Sequence, residues 1–295
     1  MIDAGAGLAR RDAHLDGYIG MIDLAAGRAR RYGGVKQLAP VGMHGEGVID
    51  LIASDAYAAG FGDVVIVINP DTGPEIQEHV ATFWPKDRKV TFTHQTQLRG
   101  TVSAVIAAES SLDLTRPFAV SNADDLYGRE SFRLLGEHLA TSANNCLVGF
   151  ELERALVGEL PVSRGTCMVV NGHLTEIVER REVQATLDGF IADDGLQPRS
   201  LHPQTIVSMN LWGFQPSIFP LMHEALEDHD FEQEKEIQLS TFVGGILHHT
   251  PLRFDVIRTT SRCIGVTHAE DLPLTQILVR QEIEAGERPE FAFAN

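Results

Sequence analysis

The feature that most constrains this chain is the short apolar run VVIVIN, Val64 to Asn69, closed off by Gly60 and Gly62 on one side and Pro70 on the other. A run of that length with no polar alternation reads as a strand covered on both faces, which is the signature of a parallel sheet with helices above and below it. The residues before it, VIDLIASDAYAAG, put Ile49, Ile52, Ala56 and Tyr57 near helical spacing and stop at Gly60. A second buried strand is expected at FAVSNA, Phe118 to Ala123, with TVSAVIAAESSL as a helix between the two strands. Helix and strand therefore alternate through the first 130 or so residues, and the expected class is α/β.

Beyond about residue 131 the texture changes. A helix around SFRLLGEHLAT precedes strand-like NCLVGFEL. Next comes GTCMVVNGHLTEIVERR, in which Asn171-Gly172 between two apolar alternating segments marks a hairpin. TIVSMNLWGF reads as another strand, and LTQILVRQEIEAG as a C-terminal helix ending on Gly286. No flexible linker separates the parts. The expected organisation is one domain over 1–290, with a first half at about 20–130, a second half at about 131–270 and a last helix at about 271–286.

The chain has 295 residues and a formal net charge of -17. So acidic a field repels a polyanion, which argues against nucleic-acid binding but leaves a small anionic ligand open, since local charge decides that. Three separated cysteines, Cys146, Cys167 and Cys263, form no CxxC pair and suit a reducing compartment. The opening residues lack a signal-peptide core, and no stretch is apolar enough to cross a membrane, so the expected location is the cytoplasm. Oligomeric state is not legible.

Against this acidic background, LAAGRARRYGGVKQLAPVG, Leu24 to Gly42, stands out. It concentrates Arg28, Arg30, Arg31 and Lys36 around Gly27, Gly33 and Gly34. Phosphate oxygens need converging N–H groups and positive charge; glycines permit the first and Arg and Lys supply the second. A basic surface loop is the alternative. Asp124 and Asp125 follow the FAVSNA strand at once, where the carboxyl ends of parallel strands frame a ligand crevice. Carboxylates there can hold Mg2+, a hard cation that bridges to phosphates; a solvated turn is the alternative. Asn122 and Tyr127 could orient that turn. Asp23 in the opening strand is costly to bury unless paired. There is no Walker sequence, no GxSxG elbow and no complete GxGxxG.

These motifs resemble those of the sugar-phosphate nucleotidyltransferase superfamily of GT-A-like fold, and within it a branch marked by NADD-[FL]-YG. The chain reads LAAGRARRYGGVKQLAPVG, SNADDLYGRESF, VSRGTCMVVNGHLTEIVERR, VSMNLWGFQPSIF and IGVTHAEDLP, in the family's order, from roughly residue 20 to 290. The resemblance implies a Rossmann-like mixed, mostly parallel sheet flanked by helices. It implies Arg31, Lys36 and Asp124 as catalytic, and Ala26, Gly27, Gln95, Gly100 and Thr101 around the nucleotide. Glu179, Arg180 and Asn210 would meet the second substrate, and Asp124 with Asp125 would hold Mg2+. The implied partners are a nucleoside triphosphate and a phosphorylated small molecule, joined with release of pyrophosphate. A non-sugar acceptor, or a noncatalytic nucleotide-binding or regulatory role, are the alternatives. The chain departs from the family at Ala29 (a glycine in relatives), Arg30 (Ser or Thr), Ser103 (His), RCIGVTH (often WFGVTY) and a shortened TFTHQTQLRG.

Overall fold

The computed structural model describes residues 19–26, 34–156, 160–266 and 269–293. The described chain opens with β1 (Ile19–Leu24), α1 (Val48–Ala58), β2 (Phe61–Ile68), α2 (Gly73–Phe83), β3 (Lys89–His94), α3 (Thr101–Ala108) and β4 (Phe118–Asn122). A two-residue strand β5 (Asp125–Leu126) leads into α4 (Arg129–Thr141), β6 (Asn145–Glu151) and the short α5 (Leu152–Ala155). Then come β7 (Val162–Val170), β8 (His173–Thr186), β9 (Gly189–Ala192), β10 (Ser200–Leu201) and β11 (Ile206–Phe214). The chain finishes with α6 (Phe219–Asp228), α7 (Leu239–Ile246), β12 (Phe254–Arg258), β13 (Ile264–Gly265) and α8 (Leu272–Glu284).

Eleven strands make one mixed sheet in the order β10-β9-β8-β12-β6-β11-β4-β1-β2-β3, with β7 pairing β11 and β8 off that path. β3, β2, β1 and β4 are mutually parallel. β11 inserts antiparallel to both β4 and β6, and β12 is parallel to β6, so β3, β2, β1, β4, β6 and β12 run the same way and β11 runs against them. From β7 onward antiparallel ladders dominate, because the tight turn at Asn171 (φ 51) and Gly172 (φ 82) can only return the chain beside itself.

The strand β1 explains the layering. Met21 faces a core shared with α1 and α4 (Val48, Leu51, Ile52, Phe132, Leu135), while Ile22 and Leu24 face a second core with α3, α6 and α7 (Val102, Val105, Phe219, Met222, Leu239). Successive side chains point to opposite faces, so a strand apolar at nearly every position needs helices on both. A third cluster, with Ile66, Ile68, Ile76, Val80 and Trp84, seals the β2 side under α2.

This topology has a switch point. From β1 the chain goes to β2 on one flank and later returns to β4 on the other, so the connections leaving β1 and β4 part in opposite directions. A crevice opens between their carboxyl ends, which is where open α/β sheets take ligands.

Candidate functional site at the carboxyl edge of the sheet

The carboxyl ends of β4, β1, β2 and β3 lie side by side. Along that edge stand Asp124, Ala26, Asn69 and Gln95, each one or two residues past the end of its strand, laced by backbone bonds: Ala123 N donates to Leu24 O at 3.3 Å, Ala25 N to Val67 O at 2.9 Å, and Gln95 N to Ile68 O at 2.9 Å.

Residues 27–33, which include Gly27, Ala29 and Arg31, lie outside the described residues. The residues on either side of that segment are tied by hydrogen bonds. Gln37, in the short helical turn Lys36–Leu38, sends Nε2 to the carbonyl of Ala25 at 3.1 Å, and Asn69 sends Nδ2 to the carbonyl of Ala26 at 2.8 Å. Asn69 Oδ1 also accepts from the amides of Asp71 and Thr72, so one side chain ties the end of β1 to the start of α2. Both residues are buried, and the Oε1 atom of Gln37 has no hydrogen-bond partner among the described residues.

Lys36 crosses the crevice and donates a hydrogen bond from Nζ to Oδ2 of Asp124. The two side chains are 20% and 18% exposed, open enough to be reached from solvent. Burial alone would lower the Lys36 ammonium, but the Asp124 charge, its hydrogen bond and the Asp125 carboxylate outweigh it and hold Lys36 above its ordinary value. Asp125 receives Asn122 Nδ2 at 2.9 Å. Loss of solvent first, and the Asp124 charge second, push Asp125 up to about 6. Asp23 lies deeper on the same side of the sheet as Met21. Its Oδ1 accepts from Ser121 Oγ at 3.1 Å and its Oδ2 has no hydrogen-bond partner among the described residues. Burial raises it to about 8, with Ser121 opposing and Asp124 adding. Three carboxylates thus crowd one edge, and Lys36 pairs directly with the outermost.

The aspartate turn is held from behind by Tyr127. Its hydroxyl accepts from the Asn122 amide and donates to the Met209 carbonyl, both at 2.9 Å. Met209 belongs to an irregular stretch of β11 where the register with β6 shifts between Ser208 and Trp212. At its centre Asn210 has φ 62, in the left-handed region that Asn tolerates better than most residues. Asn210 Oδ1 accepts from Trp212 Nε1 at 3.2 Å.

The remaining candidates divide into two groups. Gln95 is buried and donates to the carbonyl of Gly100 at 2.9 Å. Gly100, with φ 91, begins α3, and Thr101 Oγ1 donates to Gln238 Oε1 and accepts from the Leu239 amide. These three form one small frame at the end of β3, next to Asn69. Glu179 and Arg180, neighbours in β8, part company. Glu179 is exposed, lies beside Ser240 (3.4 Å) and pairs in register with Gly165 of β7, which pairs in turn with Ser208 of β11. Desolvation raises its carboxyl, with Ser240, Arg164 and Arg181 opposing. Arg180 is buried and bound to Asp194 at 2.7 and 3.0 Å and to the carbonyls of Leu196 and Pro198. Its guanidinium holds that loop, so the reading of Arg180 as a phosphate donor is at odds with the geometry.

The cation that acts on both Asp125 and Glu179 is Arg164 of β7, which donates to the carbonyls of Ala155 and Ser163. It and Asn69 are the residues that reading the sequence missed. SRG within a strand carries no local sign of which face the arginine takes, and an Asn before a proline reads as an ordinary turn.

Among the described residues no group of three or more His, Cys, Asp or Glu side chains could hold a metal ion. No curated protein matches the chain in sequence. In fold it is similar to a protein assigned as a glucose-1-phosphate thymidylyltransferase from Bacillus anthracis, crystallised with sucrose: TM-score 0.66, 12% identity, over 89% of this chain and 95% of that one. It is similar to the inositol-1-phosphate CTP transferase from T. maritima (TM-score 0.64, 12% identity, 91% and 97%) and to UDP-glucose pyrophosphorylase complexed with UDP-glucose (TM-score 0.62, 15% identity, 90% and 99%). Residues 21–228, from inside β1 to the end of α6, match the sequence model of the MobA-like NTP transferase domain, and the chain belongs to that family.

Proposed function

We propose that this protein is a Mg2+-dependent nucleotidyltransferase that joins a nucleoside triphosphate to a sugar phosphate and releases pyrophosphate. The observation that carries this reading is Lys36, rooted in the glycine- and arginine-rich segment, meeting Asp124 across the switch-point crevice. A cation from the phosphate loop and a carboxylate from the end of β4 share one opening. SNADDLYG, Ser121 to Gly128, supports placement in the NADD-[FL]-YG branch.

The donor set suits a hard cation completed by substrate. Asp124 offers partly exposed oxygens, and Mg2+ binds through one or two carboxylates with the rest of its shell filled by water and phosphate oxygens. When bound, Mg2+ would neutralise phosphate charge and polarise the phosphorus under attack. The chain's own residues do the positioning. Lys36 neutralises phosphate oxygens, joined by Arg31 of the adjoining loop. Gln95, Gly100 and Thr101 frame the base at the end of β3. Glu179 and Asn210 orient the acceptor. Arg164 supplies the positive charge on that side in place of Arg180. Such a reaction needs alignment and charge stabilisation more than covalent help from side chains. Three free cysteines suit a reducing, cytoplasmic setting, and among the described residues no helix is long and apolar enough to cross a membrane.

The test is pyrophosphate release from a panel of nucleoside triphosphates, Mg2+ and pooled sugar phosphates. Asp124→Asn is expected to lower kcat/KM by about a hundredfold or more with an unchanged melting temperature. Equal turnover in that variant overturns the assignment of Asp124. Nucleotide-induced stabilisation without turnover across a broad acceptor panel overturns the catalytic reading in favour of a binding protein.

A further inference from the structure

Away from the crevice, a cavity of about 650 Å³ opens between the start of α4, the end of α1, α8 and the segment joining β12 to β13. Its volume falls within the range of small-molecule sites. Four arginines line it: Arg129, Arg133, Arg154 and Arg262. Arg133 is held by Glu130 and Glu137, and Arg154 donates to the Thr260 carbonyl at 2.8 Å and so steadies the β12–β13 segment. The carboxylates Asp55 and Glu282 are neutralised from behind by the buried Arg288. Arg129 has only a loose approach to Asp55, at 3.8 Å, and the exposed Arg262 makes no hydrogen bond or ion pair with any described residue. Glu287 is the one lining carboxylate that no described cation balances.

The backbone adds to this. α4 begins at Gly128 (φ 76) with no side-chain cap, and a Cβ there would stand 2.8 Å from Ser261 Oγ. The first amides of a 13-residue helix therefore border the cavity beside the guanidinium groups of Arg129 and Arg262.

We propose that this cavity binds a small phosphate-bearing anion between Arg129, Arg262 and the start of α4, and that the occupant acts on the crevice as an effector. The route is short. β5 and β13 form a two-stranded ladder in which Leu126 pairs with Ile264 and Asp125 with Gly265, and the Val266 amide donates to the Asp124 carbonyl at 3.1 Å. Arg129 lies three residues past the end of β5 and Arg262 two residues before β13. An anion bridging them grips both strands at one end, while the other end carries Asp124 and Asp125. The proposal stands whether or not the crevice is catalytic, since binding here needs neither Lys36 nor Asp124.

Inorganic tripolyphosphate serves as the probe, by titration calorimetry on the full chain carrying Lys36→Ala to weaken the crevice. The expected result is saturable binding that Arg262→Gln weakens at least tenfold; that exposed side chain gives up no hydrogen bond or ion pair with a described residue, so the variant retains the wild-type melting temperature. In the same background, hydrogen exchange of the Leu126 and Gly265 amides is expected to slow when the probe is added and not in Arg262→Gln. Unchanged affinity in Arg262→Gln overturns the site. Tight binding with unaltered exchange at Leu126 and Gly265 overturns the effector role.

Discussion

Asp23 shows what one residue can cost. A carboxyl in water releases its proton near pH 3.9, roughly, whereas Asp23 keeps it to about 8. Between those values the folded chain binds more protons than the unfolded one, so this residue makes stability fall as pH rises, until the loss levels off above the folded value. Asp23→Asn keeps an acceptor for Ser121 and removes the titration. The variant is expected to melt with the wild type near pH 4 and several degrees higher near pH 9, at about 2–4 °C per kcal/mol. Parallel melting curves at both values would show that Asp23 does not titrate as described. The residue was visible in the sequence as a polar interruption of β1. That Ser121 and Asp124 would stand beside it was not, because they arrive from a strand about a hundred residues away.

Among the elements, α3 depends most narrowly on one backbone position. Gly100 has φ 91 and ψ -174, a region that is essentially glycine's alone, and a Cβ would come within 2.4 Å of the Ile237 carbonyl oxygen. Ile237 cannot easily retreat, since its amide is bonded to Arg99 O and its carbonyl accepts from Val102 N. Gly100→Ala is expected to lower stability by about 1–3 kcal/mol from the backbone alone and, on the proposed function, to raise KM for the nucleotide by displacing Gln95, read by urea unfolding and steady-state kinetics. Elements whose signal is local were legible. The apolar runs of β2 and β4, the helical spacing in α1 and α8 and the Asn171-Gly172 turn all appear within a few residues of where the sequence puts them. Arg180 was not legible in the same way. Period two separates it from Glu179, but its partner Asp194 comes back beside it only through β9, and no spacing announces that pairing.

At the scale of the whole molecule, the end of the chain is clasped onto α1. Arg288 is buried against Asp55 at 2.8 Å and Glu282 at 2.9 Å, the Phe293 amide donates to Ser54 Oγ, and the Phe293 ring packs 5.3 Å from Trp84. Burial pushes Asp55 up to about 6 even though Arg288 opposes it. Removing the guanidinium leaves a buried charge unbalanced, so Arg288→Met is expected to cost about 3–5 kcal/mol near neutral pH. Asp55→Asn added to it should restore part of the loss, as measured by chemical unfolding. If Arg288→Met alone unfolds at the wild-type midpoint, the ion cluster adds nothing to the fold.

The phenol of Tyr127 has a wider reach than its size suggests. By spanning from the β4 turn to the irregular stretch of β11, it splices the strand that feeds the aspartates to the strand that carries Asn210. Whatever tightens one flank is thereby felt on the other. A Phe at that position would leave an amide and a carbonyl stranded in the interior, and should slacken both walls of the crevice together.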